Sequence, residues 1–163
     1  MCILTKQELY DSAKTKIKLE SKIASNGIDY SSISEQRSVG GAAYKTVSKT
    51  DFKYDAQGNE TQGKVFPTYG SDGEKEIIQN NYTYNVLGQQ TKKNVTLNSE
   101  KNPASNRTYT EEETVYDSFG NCLSTTDKDG LVTKTSYDPE TGEEKETIEA
   151  AVTEYESKDR EYV

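Results

Sequence analysis

The sequence holds no histidine, so the commonest general base and the commonest zinc ligand are both missing. Serines, threonines and two cysteines are the candidate nucleophiles. No G-x-S-x-G context surrounds any of them, and nothing nearby would activate a hydroxyl or thiol. Cys2 and Cys122 lie far apart without a CxxC pattern, which favours a free thiol over a disulfide. Carboxylates are plentiful, as in Asp127 with Asp129, Glu143 with Glu144, and the run Glu111-Glu112-Glu113. A glycosidase sets two carboxyls across a sugar in a cleft, and no such arrangement is indicated. Asp127-x-Asp129-Gly130 begins like a calcium loop, but Leu131 holds the fifth place and the closing Glu is absent, so a turn is the better reading. The sequence therefore predicts a non-enzyme, with no catalytic, cofactor-binding or metal-ligating residue.

What recurs instead is a phrase: Tyr54-Asp55-Ala56-Gln57-Gly58, Tyr84-Asn85-Val86-Leu87-Gly88, Tyr116-Asp117-Ser118-Phe119-Gly120, and Tyr137-Asp138-Pro139-Glu140-Thr141-Gly142. A fixed internal phrase means one supersecondary unit used repeatedly. Phe52 and Tyr54, then Tyr82 and Tyr84, alternate with polar residues, which places each pair on one face of a strand. The Asp or Asn that follows can fold back onto the backbone and open a turn, and Gly four places after Tyr supplies the positive φ that starts the return strand. Each phrase is thus a hairpin corner. Further turn signals, Ser71-Asp72-Gly73 and Lys128-Asp129-Gly130, lie between corners.

The corners are spaced by 30, 32 and 21 residues. The first two excesses, Val65–Asn81 and Leu97–Glu113, read as lengthened loops inserted into a shorter unit. The hairpin region spans 44–148, and 149–163 reads as an acidic tail or a partial next repeat. Ahead of it, residues 5–25 read as a helix. Thr5 and Glu8 form a capping box, Leu9, Ala13, Ile17 and Ala24 mark one apolar stripe, and Lys14, Lys18 and Lys22 form a like-charged row. The serines and the Gly40-Gly41 pair make 28–43 a linker, giving an N-terminal helical segment of 1–27.

Composition agrees with an all-β reading. Only 31% of residues are hydrophobic and there is no Trp, yet twelve Tyr supply strand-forming bulk. Net charge is -8, and 111–163 carry sixteen acids against five bases, so the chain repels phosphate backbones and nucleic acid is disfavoured. Met1-Cys2-Ile3-Leu4 is too short an apolar run for a signal peptide, and no segment approaches a membrane span.

The recurring phrase resembles the YD repeat of the RHS family over 43–148, most closely over 116–142. Tyr54, Asp55, Gly58 and Asn59 match its motif, as do Tyr116, Asp117, Gly120, Asn121, Asp129, Gly130, Tyr137, Asp138 and Gly142. The second copy keeps Tyr84 and Gly88 but carries Asn85 for Asp and Gln89 for Asn. The resemblance implies a spiral of antiparallel β-hairpins, part of a hollow shell that in many bacterial members encloses a C-terminal toxin. It further implies an extracellular or cell-surface setting and, as partners, the remaining repeats of a longer parent chain and an enclosed cargo. A surface module binding glycan or protein through its Tyr-bearing face or acidic end is the alternative.

Overall fold

A computed structural model describes residues 7–10, 15–69 and 76–151 of the chain. Within them it is all-β: eleven strands form one antiparallel sheet whose spatial order is the chain order. The strands are β1 (Gln7–Tyr10), β2 (Lys16–Ile23), β3 (Tyr30–Ser38), β4 (Lys45–Tyr54), β5 (Glu60–Phe66), β6 (Glu76–Tyr84), β7 (Gln90–Ser99), β8 (Arg107–Tyr116), β9 (Cys122–Asp127), β10 (Val132–Tyr137) and β11 (Glu144–Ala151). The only helical element among the described residues is a single 3₁₀ turn, Pro103–Ser105. The expected hairpin meander is therefore present, and β11 carries it three residues past Ile148.

The N-terminal helix is not. Lys16-Ile17-Lys18-Leu19-Glu20-Ser21-Lys22-Ile23 forms β2, paired with β3 from Lys16↔Ser38 to Ile23↔Tyr30. Glu8 and Leu9 lie in β1. The helical stripe used one residue in four, but the same segment also places Ile17, Leu19 and Ile23 at alternate positions, broken only by Ser21, and period two prevails once a neighbouring strand is there to pair. The linker over 28–43 is likewise corrected, since Tyr30–Ser38 is strand, although Gly40 and Gly41 do make a turn, with φ of 60° and 77°. Its serines are packed rather than exposed, Ser32 and Ser38 being buried. Among the described residues the lengthened loops are mostly strand as well, 65–66 and 76–81 in the first and 97–99 and 107–113 in the second. Cys2, Thr5, Ala13, Lys14, Ser71-Asp72-Gly73 and 152–163 lie outside the described residues.

By compactness the chain divides into two units, Met1–Asn81 with Val95–Thr108, and Tyr82–Asn94 with Tyr109–Val163. In the first, strand register sorts side chains onto two faces, because directly paired residues share a face. One face carries Glu20, Ser34, Lys49 and Phe66 in one row and Ser32, Asp51, Lys64 and Gln79 in the next. The other carries Ser21, Ile33, Thr50, Val65 and Ile78. The charged face is well covered: Lys18 and Glu20, with side chains 14% and 18% exposed, pair at 3.1 Å. Gln36 donates to Glu20 at 3.0 Å, and Lys18 Nζ lies 5.7 Å from the Tyr44 ring centre. Lys18 and Lys22 thus do not repel as a bare row, since Glu20 stands between them on the same face. Phe66, 2% exposed, packs edge-on against Tyr69 at 5.9 Å and takes Lys49 and Lys64 over its ring.

Phe66 and Val95 are the only buried hydrophobic residues among those described. A sheet with so small a core depends on its hydrogen-bonded ladder and on cross-strand pairs. The second unit follows suit. Lys92 pairs with Glu113 at 3.3 Å and Lys93 with Glu111, an ion pair that raises the Lys93 pKa, so the acidic run 111–113 is partly neutralised by its neighbour strand.

Candidate functional site: the motif turns

The four phrases are the connections β4–β5, β6–β7, β8–β9 and β10–β11, and Tyr54, Tyr84, Tyr116 and Tyr137 are each the last residue of a strand. The turn after Tyr116 gives the plan. Asp117 N–H donates to Asn121 O at 2.9 Å and Gly120 N–H to Asp117 O at 3.2 Å. One carboxylate oxygen of Asp117 accepts from the N–H groups of Phe119 (2.8 Å) and Asn121 (2.9 Å), while the other accepts from the Asn121 amide at 2.9 Å. Gly120 completes the turn at φ 91°, in the left-handed region that side chains disfavour. The first copy repeats this bond for bond, from Asp55 to Gln57 N–H, Asn59 N–H and the Asn59 amide, with Gly58 at φ 90°. The amide and backbone donors hold the Asp55 and Asp117 carboxyls below their usual range.

Asn85 and Gln89, the two departures from the motif, compensate one another. Asn85 keeps the oxygen that accepts from Leu87 and Gln89 N–H, both at 3.0 Å, but its other arm is now a donor, and it finds the Gln89 side-chain oxygen at 2.9 Å. The extra methylene of Gln89 then lets its own amide donate to Gly120 O in the next turn, at 2.8 Å. Asp138 heads the last and longest turn, where Gly142 N–H donates to Asp138 O at 2.8 Å and Glu140 and Thr141 N–H donate to its carboxylate. Those two N–H groups, then Lys145, lower its pKa.

The tyrosine hydroxyls do one job in three places. Tyr54 donates to Tyr30 O (2.9 Å), Tyr116 to Gln90 O (3.2 Å) and Tyr137 to Cys122 O (3.0 Å). In each case the acceptor is the first residue of the preceding strand, so the ring closes a hairpin and its hydroxyl reaches the exit of the turn before. Desolvation raises the pKa of Tyr54 and Tyr137, in keeping with hydroxyls used as donors.

Two further turns are of the same kind, the one expected over 127–130 and one that the sequence reading missed. Asp127, not Asp129, heads the β9–β10 connection: its carboxylate accepts from Asp129 and Leu131 N–H at 2.9 Å, and Gly130 N–H donates to its carbonyl at 3.1 Å. Asp129 instead binds Lys128 Nζ at 2.7 Å. Between β2 and β3, Gly27 N–H donates to Ala24 O at 3.0 Å with φ 77°, as the motif glycines do, although Ile23 and Ala24 stand where Tyr and Asp would be. Ile23 precedes Tyr54 by 31 residues, close to the 30 and 32 that separate the next two pairs of copies, so spacing was the surviving signal.

One open cleft of about 560 Å³ lies in the second unit, lined by residues of the turns headed by Asp117 and Asp138, with Phe119, Leu123, Tyr137 and Pro139 as its apolar walls. Another, of about 270 Å³ in the first unit, is lined by Pro67, Ile77, Ile78 and Leu97 among others. Among the described residues no cluster of three or more potential metal ligands occurs. Cys122 is free, its sulfur 3.5 Å from the Thr125 hydroxyl. The fold and the site together define a class: an antiparallel hairpin array whose corners are built on one recurring Asp/Asn-to-Gly turn. The chain matches no protein-family model and no curated protein.

Proposed function

We propose that the chain is a structural segment of a YD-repeat wall, a non-enzymatic scaffold that encloses or presents a toxin or other effector cargo outside the cell. The recurrence of the tyrosine-to-carbonyl bond at three hairpins carries this reading, since it is a device for repeating one unit. The residues that resemble the family motif are spent on turns. In Asp55, Asp117 and Asp138 one carboxylate oxygen accepts two backbone N–H groups of its own corner and the other faces the Asn59 amide, the Asn121 amide or Lys145, so these groups are committed first to holding the turns. The partners that follow are the neighbouring repeats of a longer chain and the cargo they surround.

A glycan-binding role for the tyrosine rows is the competing reading, and the use of three hydroxyls within the sheet weakens it. Screening the purified chain on a glycan array separates the two. A scaffold retains no glycan. Micromolar retention that is lost in Tyr116→Phe and Tyr137→Phe would overturn the scaffold reading.

A further inference from the structure

We propose that the cleft between the turns headed by Asp117 and Asp138 docks an extended basic segment of another protein, with an apolar side chain of that segment against Phe119 and an adjacent Lys or Arg against the carboxylates of the cleft. Phe119 is 87% exposed. Its backbone N–H serves the turn, but its ring does not, and the matching place is Gln57 in the first copy and Leu87 in the second, so the turn itself asks for no aromatic. Leu123, Tyr137 and Pro139 extend the apolar surface into a cleft of about 560 Å³, within the range of about 300–1,000 Å³ typical of ligand sites.

Charge selects the occupant. Asp117 and Asp138 line the cleft, and the turn bonds that lower their pKa keep them anionic. Lys145, 3.3 Å from Asp138, offsets the charge there, so Asp117 and the exposed Glu140 are the carboxylates left to meet a cation. Residues 111–149 hold twelve acids against three bases, of which Lys128 and Lys145 are already paired with Asp129 and Asp138. An apolar cleft in a field of that sign concentrates cations, and an arginine can also stack on the phenyl face. The chain's own residues 152–163, with four acids and two bases, carry the wrong charge. A second copy, also at -8, is repelled on approach. This inference stands on the cleft alone and does not depend on the wall reading.

The test is fluorescence anisotropy on the full chain with three labelled probe peptides of equal length, alternating Arg with Leu, Glu with Leu, and Arg with Ser. The Arg/Leu peptide is expected to bind best, the other two at least about tenfold more weakly, with affinity falling as salt rises. Phe119→Gln, which installs the residue of the first copy, should weaken the Arg/Leu peptide about tenfold at unchanged melting temperature. Glu140→Lys should do so independently, by reversing a charge on an exposed turn. Absence of binding, equal binding by the Arg/Ser or Glu/Leu peptide, or indifference to both substitutions would overturn the proposal. So would self-association that disappears in Phe119→Gln, because the occupant would then be a second copy.

Discussion

At the scale of single residues, the motif aspartates act through their carboxylate oxygens, and the pair Asn85/Gln89 reveals how. One oxygen serving two backbone N–H groups is retained in every copy, while the second arm can accept or donate provided its partner changes with it. Asp117→Ala should therefore lower the melting temperature by about 2–4 °C, whereas Asp117→Asn should cost less, since the oxygen toward Phe119 and Asn121 survives. The two differ in acid. Asp55, Asp117 and Asp138 all have pKa values lowered in the folded state, so their stabilisation is complete above the unfolded carboxyl value of about 3.9 and is lost as pH falls through the lower folded values. Melting curves between about pH 5 and pH 2 should fall more gently for Asp117→Asn than for the parent; parallel curves would deny Asp117 this role. Gly120→Ala should cost about 1–2 kcal/mol from its φ of 91°. Gly63→Ala should cost less, because Gly63 has no positive φ and a Cβ there meets only the flexible Glu60 carboxylate. Equal losses in urea unfolding would show that backbone conformation is not what the motif glycine supplies.

At the scale of elements, each tyrosine fastens a hairpin to the exit of the preceding turn. Removing the Tyr116 hydroxyl in Tyr116→Phe should cost about 1 kcal/mol, the net worth of one intramolecular hydrogen bond. It should also speed amide hydrogen exchange near Gln90 and Tyr116, with β2 and β3 unchanged; acceleration spread evenly along the chain would contradict a local fastening. The corners could be read from sequence because Tyr, Asp and Gly are each demanded by a distinct physical need: ring burial, an acceptor for backbone N–H groups, and positive φ. Where those needs were met otherwise, reading failed. Ala24 heads a turn without a carboxylate because Asn26, two residues on, accepts from Ile28 and Asp29 N–H in its place. The turn over 127–130 could be read because its Asp and Gly keep the motif spacing, although Asp129-Gly130 alone mimics a two-residue hairpin. The β2 segment satisfied helical and strand periods at once, and only pairing with β3 decided between them. The cleft beside Phe119 could not be foreseen at all, since it arises from two turns lying next to one another, which no single motif encodes.

At the scale of the whole molecule, every strand takes its hydrogen-bonding neighbours from next to it in the chain, so stability is close to a sum of hairpin and nearest-neighbour terms, as in other repeat proteins. Such an array has two outermost strands, and among the described residues these are β1 and β11. Unpaired N–H and C=O groups on an outer strand invite pairing with another chain unless charge or covering prevents it. β11 carries Glu144, Glu146 and Glu149 against Lys145, so two copies brought together along this strand repel. That protection is electrostatic and hence screened: the Debye length falls from about 30 Å at 0.01 M salt to about 3 Å at 1 M. Light scattering should find the chain monomeric at low salt and associating as salt rises. Replacing Glu144, Glu146 and Glu149 together by Gln should bring association down to low salt with little change in melting temperature, because all three side chains are exposed. If the substituted chain and the parent both stay monomeric across the whole range, charge on β11 is not what keeps this edge from pairing, and the open array must be closed by something other than its acids.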